Sequence, residues 1–126
     1  MELTVDQRTP LDRSDVTIVA PSGEVDLATA PLLREGLERA EAGAPGGLVI
    51  DLLGVSFIDS TGIGELVGCH RRCRAAGRAL AFVVPDGTIR KILTVTGMDA
   101  VFDVFHDEDS AVRSLSASSA AANSDD

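Results

Sequence analysis

The stretch that decides the fold is residues 48–66, Leu-Val-Ile-Asp-Leu-Leu-Gly-Val-Ser-Phe-Ile-Asp-Ser-Thr-Gly-Ile-Gly-Glu-Leu. It opens with a short apolar run at 48–52, which is typical of a strand buried on both faces. From Ile63 onward the apolar residues fall three or four positions apart, which is the spacing of one helix face. Between strand and helix lies a polar turn, residues 59–62, where we place the functional site.

The turn Asp59-Ser60-Thr61-Gly62 is predicted to start the helix. Asp59 or Ser60 is expected at the N-cap, where a side-chain oxygen accepts a hydrogen bond from a backbone N–H of the first turn. A helix N-terminus also favours added negative charge, so it would suit a phosphate on Ser60. Gly62 and Gly64 are expected to leave the backbone open and make room for another protein. On spacing alone, an ordinary capping serine is the commoner explanation.

Two enzyme interpretations of this turn fail on the residues themselves. An aspartic protease half-site has one residue between Asp and Gly, whereas two separate Asp59 from Gly62. A nucleophile elbow needs glycine two positions before the serine, where this chain has Ile58. A serine hydrolase also needs a base, and His70 and His106 lie in no recognisable partner motif. We therefore expect no catalytic residues and no enzyme activity.

Length and charge limit the possible functions. The 126 residues suffice for one domain, and 11 Lys and Arg against 20 Asp and Glu give a net charge of -9. A nucleic-acid binder of this size would carry a basic patch and a high pI, so nucleic acid is excluded as the expected partner. Neither a signal peptide nor an apolar stretch near 18 residues is present, which predicts a cytoplasmic protein without a membrane partner.

The helix after the turn carries two groups with open interpretations. Four arginines lie close together, either as a solvated helix surface or as a patch that meets an acidic protein surface: Arg71, Arg72, Arg74 and Arg78. Cys69 and Cys73 flank His70, but structural zinc needs four ligands and the sequence has no second cysteine pair. We expect no metal site, and predict two reduced cysteines that face the core beside Leu66.

The rest of the chain alternates between strand and helix patterns. A hairpin is predicted from 2–8 and 16–20, with 21–23 breaking or bulging its second strand before 24–26. Thr29-Ala30-Pro31 signals a helix start with a capping hydroxyl. A buried strand at 79–84, a helix ending at Gly97, an edge strand at 101–105 and a final helix through Leu115 follow. This order predicts an α/β domain at 1–115, with about four helices on a mixed sheet of four to five strands. Residues 116–126 are expected to form a disordered C-terminal tail.

Three segments together resemble the STAS domain of bacterial anti-sigma factor antagonists. They are residues 23–31 (Gly-Glu-Val-Asp-Leu-Ala-Thr-Ala-Pro), residues 48–62 with their Asp-Ser-Thr-Gly ending, and residues 95–98 (Val-Thr-Gly-Met) before Val101-Phe102. The resemblance covers about residues 3–115. Its most specific part is the Asp-Ser-Thr-Gly turn after a buried strand.

The resemblance implies a mechanism that composition and spacing do not show. The unphosphorylated protein would bind a serine kinase that doubles as an anti-sigma factor, and would thereby release the sigma factor. That kinase would use its own ATP and Mg²⁺ to phosphorylate Ser60, and a PP2C-type phosphatase would reverse the modification. Partner contacts are expected at Asp26, Asp59, Ser60, Thr61, Gly62, Ile63 and Gly64, with Thr61 a second possible acceptor. The chain itself would need no cofactor and would be a monomer when free.

An alternative within the same family has no phosphorylation switch. The chain would then be a subunit of a lipid-transport complex or of a stress-signalling scaffold. Phosphate transfer from a cognate kinase separates the two functions.

Overall fold

The ten-residue strand β2, Val16–Val25, pairs with three other strands and organises the sheet. The computed structural model describes residues 2–115. The other strands are β1 (Leu3–Arg8), β3 (Gly47–Asp51), β4 (Gly54–Ile58), β5 (Leu80–Val83) and β6 (Val104–Phe105). The helices are α1 (Ala30–Ala42), α2 (Ser60–Ala75), α3 (Thr88–Val95) and α4 (residues 108–115), with a single 3-10 turn at Met98–Ala100.

The sheet is mixed, with the order β1-β2-β3-β5-β6 and β4 paired to β2 beyond the end of β3. β1 and β2 form an antiparallel hairpin at one edge, and the remaining pairings are parallel. β2 pairs first with β3 and then with β4, because the chain breaks its strand at Leu52 and Leu53 and then resumes. The register of β2 against β4 shifts between Gly23 and Glu24.

Both faces of the sheet are covered, because alternate residues of the central strands point to opposite sides. Leu48 and Ile50 belong to the larger core beneath α1, α2 and α3. Val49 belongs to a second core, which Ala111 and Leu115 of α4 cover from the other side. The apolar run of β3 is therefore buried throughout.

The sequence predicted this class of fold, and three details of the prediction differ from the structure. The sheet has six strands rather than four to five, because β4 is a separate strand. Of the two alternatives predicted for 21–23, a break or a bulge, the structure has the bulge, because β2 runs through these residues with a shift in register. β6 has only two residues. Thr29 precedes α1 but makes no side-chain capping bond. The tail predicted at 116–126 lies outside the described residues.

Candidate functional site

Two parallel strands deliver the site residues to one edge of the sheet. Val25 at the end of β2 lies opposite Ile58 at the end of β4. Asp26 and Asp59 follow these strand ends directly, and the Asp59 backbone N–H donates to the Val25 carbonyl at 3.0 Å. The prediction that the turn lies beyond the carboxyl end of a strand is confirmed, although the strand is β4 rather than β3.

Asp59 is the residue that caps α2. Its backbone is extended, with φ −101° and ψ −174°, and its Oδ1 accepts a hydrogen bond from the backbone N–H of Gly62 at 3.0 Å. The Asp59 carbonyl also accepts from the N–H of Ile63 at 3.0 Å. Of the two candidates for the N-cap, the structure therefore selects Asp59, and this carboxylate lies where the helix dipole favours negative charge.

Ser60 is the first residue of α2, and its side chain is exposed. Because Asp59 does the capping, the Ser60 hydroxyl is not used to hold the helix start. It makes no hydrogen bond to any residue in the range 2–115. The backbone N–H groups of Ser60 and Thr61 lie in the first turn, where no carbonyl of the same helix can reach them. The site thus combines a free alcohol with unsatisfied backbone donors.

Two residues expected to face a partner lie in the core instead. Gly62 is buried, and a Cβ at this position would lie 2.5 Å from Ile58 Cγ1 and 2.6 Å from Val25 Cγ1. The expectation that Gly62 exposes the backbone was wrong, because α2 packs there against the ends of β2 and β4. The side chain of Ile63 is only 9% exposed and packs in the larger core. Gly64 is exposed, and a Cβ there would meet nothing within 4 Å.

Asp26 holds the loop between β2 and α1 in a defined turn. Its Oδ1 accepts from the backbone N–H groups of Ala28 and Thr29, each at 3.0 Å. The N–H of Thr29 contributes most to a lowered pKa of the Asp26 carboxyl, so this carboxylate stays charged well below neutral pH. The Thr29 hydroxyl donates to the Glu24 carbonyl at 2.8 Å and accepts from the Asp26 N–H at 3.0 Å. These bonds explain why Thr29 leaves the cap position of α1 unused.

A groove beside the turn was not predicted from the sequence. It has a volume of about 380 Å³ and lies between α1 and α2, with Leu27, Pro31 and Thr61 in its walls. Leu27, in the loop before α1, is a large apolar residue whose side chain is nevertheless 76% exposed. The one signal in the sequence that could have indicated this surface is Leu27 itself, an apolar residue that lies before the helix and does not belong to its apolar face. Arg34 and Glu65 form an ion pair of 3.0 Å across the same groove.

Other predicted groups lie away from this edge. Cys69 and Cys73 are free thiols that are buried in the larger core, as predicted from their spacing with Leu66. Among residues 2–115, no cluster of three or more His, Cys, Asp and Glu side chains is placed to hold a metal ion. None of the helices in the described part of the chain has the length and apolar character needed to cross a membrane.

Comparisons with known proteins agree with this architecture. The family model of the STAS domain matches residues 9–111. The chain is 34% identical over 110 residues to the anti-sigma-F factor antagonist RsfB of Mycobacterium tuberculosis, which covers 83% of this chain and 88% of that protein. A crystal structure of an anti-sigma factor antagonist from Mycobacterium paratuberculosis matches with a TM-score of 0.79 and 26% identity, over 90% of this chain and 94% of that one.

A further solved structure shares the fold at lower identity. The Bacillus cell fate determinant SpoIIAA in its phosphorylated form matches with a TM-score of 0.62 and 21% identity, over 87% of this chain and 99% of that one. The family match spans both Asp26 and the turn at 59–62, and the relative with 34% identity aligns over most of its length. The chain therefore belongs to the STAS domain family, and within it to the anti-sigma factor antagonists.

Proposed function

We propose that this chain is a phosphorylation-switched antagonist in which Ser60 is the switch. Unphosphorylated, it binds an anti-sigma factor that is also a serine kinase, and this binding frees the sigma factor. The kinase then transfers a phosphoryl group to the Ser60 hydroxyl, and the modified chain no longer binds. A PP2C-type phosphatase restores the binding form.

One observation carries this proposal: the Ser60 side chain is exposed and its hydroxyl is free of hydrogen bonds to residues 2–115. A capping serine would have its oxygen engaged with the helix, and modification would then break the first turn. Because Asp59 caps α2 instead, a phosphate can be added without the loss of that bond. The fold is therefore expected to be the same in both forms.

The helix start also accommodates the new charge. A phosphoserine carries roughly -1.5 to -2 charges at neutral pH. The free N–H groups of Ser60 and Thr61 and the helix dipole stabilise that charge. The Asp59 carboxylate repels the phosphate charge, but this carboxylate is held in place because its Oδ1 accepts a hydrogen bond from the Gly62 N–H. The phosphate consequently remains at the surface, where a partner would meet it.

The size of the charge effect is sufficient for a switch. Against a partner carboxylate about 6 Å away, an added phosphate gives a repulsion of roughly 4 to 5 kcal/mol at an effective dielectric constant near 20, before screening by salt. A third of that energy is already about a tenfold loss of affinity. No conformational change is required.

The partner surface follows from the residues around Ser60 that reach solvent in full or in part. It comprises the exposed Gly64 and the half-buried Asp26, Asp59 and Thr61, and extends into the groove beside Leu27. Gly62 and Ile63 act beneath it by fixing the position of the first turn. The kinase supplies ATP and Mg²⁺, so this chain acts as a substrate and binding protein in the cytoplasm and not as an enzyme.

The first experiment is to incubate the chain with its cognate kinase, ATP and Mg²⁺ and to measure intact mass. We expect one added phosphate on the wild type and on Thr61→Val, and none on Ser60→Ala. Phosphate on the wild type and on Ser60→Ala, with none on Thr61→Val, would move the site to Thr61. No phosphate on any of the three chains would favour the alternative of a STAS subunit without a switch.

A further inference from the structure

A second polar cavity lies at the opposite end of α2 from Ser60. Its volume is about 300 Å³, and it is bounded by the last turns of α2, the start of β5 and the segment after the 3-10 turn. Its walls combine cationic and apolar side chains, with one carboxylate at Asp103. We call it the distal pocket, lined by His70, Cys73, Arg74, Arg78, Ala79, Leu80, Val101 and Asp103.

The structure divides the four arginines of α2 and its end into different roles. Arg72 is committed to Glu41, which accepts from its Nε and Nη2 at 2.8 and 2.9 Å. Arg78 donates from Nε to the Ala44 carbonyl at 3.1 Å, which fixes its guanidinium and leaves both terminal nitrogens available. Within residues 2–115, Arg71 and Arg74 form neither an ion pair nor a side-chain hydrogen bond. Arg74 and Arg78 therefore face the distal pocket without a carboxylate partner, and the guanidinium of Arg78 is already oriented.

We propose that the distal pocket docks an acidic segment of a partner protein, in which an Asp or Glu side chain lies beside an apolar residue. The guanidinium groups of Arg74 and Arg78 match a carboxylate in geometry and charge. Leu80 and Val101, the latter 48% exposed, offer apolar contact next to them. His70 is held against Phe102, with ring centroids 5.5 Å apart, and forms part of the wall.

The charge of the whole chain narrows the choice of partner. The net charge is -9, so an extended polyanion such as nucleic acid or an anionic membrane is repelled by the rest of the surface. A short acidic segment meets only the local field of the distal pocket. Asp103 is the single carboxylate in its wall, and it forms no ion pair with either arginine.

The distal pocket is electrostatically separate from the switch. Arg74 follows Ser60 by fourteen residues on one helix, which is roughly 21 Å along the axis at about 1.5 Å per residue. The Debye length at physiological ionic strength is about 8 Å. A charge on Ser60 is therefore screened at Arg74, and the acidic segment binds in both phosphorylation states.

The test uses a fluorescein-labelled peptide, Gly-Glu-Leu-Glu-Glu-Leu-Glu-Gly, and fluorescence anisotropy at about 150 mM salt, where the Debye length is about 8 Å. We expect saturable binding to the full chain, and at least a tenfold weaker affinity for Arg74→Glu. Arg74 forms no side-chain hydrogen bond or ion pair within residues 2–115, so this variant is expected to keep the fold. Arg113→Glu on α4 is the matched control and should bind like the wild type. A peptide with Gln in place of Glu should bind at least tenfold more weakly.

The proposal would be overturned by no saturable binding, by equal loss in Arg74→Glu and Arg113→Glu, or by equal binding of the Gln peptide. Loss of peptide binding in Ser60→Asp would also overturn it, because the peptide would then sit at the switch. The proposed function is tested by a different measurement, because it predicts that Ser60→Asp weakens kinase binding and that Arg74→Glu does not. Kinase binding that is unchanged in Ser60→Asp would contradict the proposed function and leave the distal pocket unaffected.

Discussion

At the scale of single residues, two glycines of α2 have opposite roles despite their similar sequence context. Gly62 lies where the helix touches the ends of β2 and β4, and Gly64 lies on the open side of the same turn. The contact at Gly62 sets how closely the first turn approaches the sheet, and so it sets the height of Ser60 above the surface. Gly64 only keeps that surface flat.

The two glycines give a matched pair of substitutions. Gly62→Ala would place a methyl group 2.5 Å from Ile58, so we expect a loss of roughly 1 to 3 kcal/mol in the free energy of unfolding. Gly64→Ala meets no atom and improves helix propensity, so a gain of up to about 1 kcal/mol is expected. Urea denaturation of both variants measures the difference. A Gly62→Ala chain as stable as Gly64→Ala would contradict the close packing of α2.

The cap supplies a second prediction at this scale. Asp59→Ala removes the bond to the Gly62 N–H, and we expect it to cost about 0.5 to 2 kcal/mol in the free energy of unfolding. Asp59→Asn keeps the capping oxygen and should stay within a few tenths of a kcal/mol of the wild type. If Ser60→Ala destabilised the chain as much as Asp59→Ala, Ser60 would be the cap and its hydroxyl would not be free.

At the scale of elements, α1 and α2 are joined by two ion pairs in different surroundings. Glu41 is only 7% exposed, and its bidentate bond to Arg72 raises the pKa of that guanidinium. The Arg34 to Glu65 pair bridges the same helices near the switch, but the Arg34 side chain is 60% exposed. The two helices are therefore fixed at their C-terminal ends and more weakly joined beside the groove.

Truncation of each arginine should separate these two pairs. Arg72→Ala leaves a buried carboxylate without its partner, so we expect a loss of roughly 2 to 4 kcal/mol in the free energy of unfolding. Arg34→Ala removes an exposed pair and should cost no more than about 1 kcal/mol. Thermal and urea unfolding of the two variants would measure the gap. Equal losses would mean that the buried pair is not what joins the helices.

The sequence predicted most elements but not how they meet. The apolar run of β3 and the helical spacing after Ile63 are local patterns, and both were interpreted correctly. β4 was missed because Leu52 and Leu53 extend the apolar run across the break between the strands. The role of Gly62 depends on Val25, a residue far away in sequence that reaches it only through pairing of β2 with β4. No local pattern contains that information.

At the scale of the whole molecule, the second core is closed at one end by charged groups. Asp51 ends β3 and is 6% exposed, with its Oδ1 accepting from the Leu53 N–H at 2.8 Å. Burial, followed by a hydrogen bond with Glu108 of α4, raises the pKa of Asp51 to about 6. Arg8 of β1 pairs with Glu108 and lowers the pKa of that carboxyl. Three distant segments thus meet at one titratable cluster.

The raised pKa of Asp51 predicts a pH dependence of stability with a definite sign. The folded chain holds the proton up to about pH 6, whereas an unfolded Asp loses it near pH 4. The stabilisation that protonated Asp51 adds to the free energy of unfolding is therefore complete below about pH 4, and it is lost as pH rises through about 6. Asp51→Asn cannot ionise, so we expect it to be more stable than the wild type at pH 7.5 by roughly 1 to 3 kcal/mol.

Urea denaturation at pH 4 and pH 7.5 tests this sign. The advantage of Asp51→Asn should shrink towards zero at pH 4, and the exposed control Asp6→Asn should stay within about 0.5 kcal/mol at both pH values. An Asp51→Asn chain that is less stable than the wild type at pH 7.5 would show that the carboxylate is favoured in the folded state.

The most direct test of the switch is the affinity of the cognate anti-sigma kinase for the chain in four forms. These are the unphosphorylated chain, the chain phosphorylated on Ser60, Ser60→Ala and Ser60→Asp, measured by calorimetric titration at fixed salt. We predict tight binding of the unphosphorylated chain and Ser60→Ala, and at least tenfold weaker binding of the phosphorylated chain and Ser60→Asp. Equal affinity of the phosphorylated and unphosphorylated chains would contradict the account.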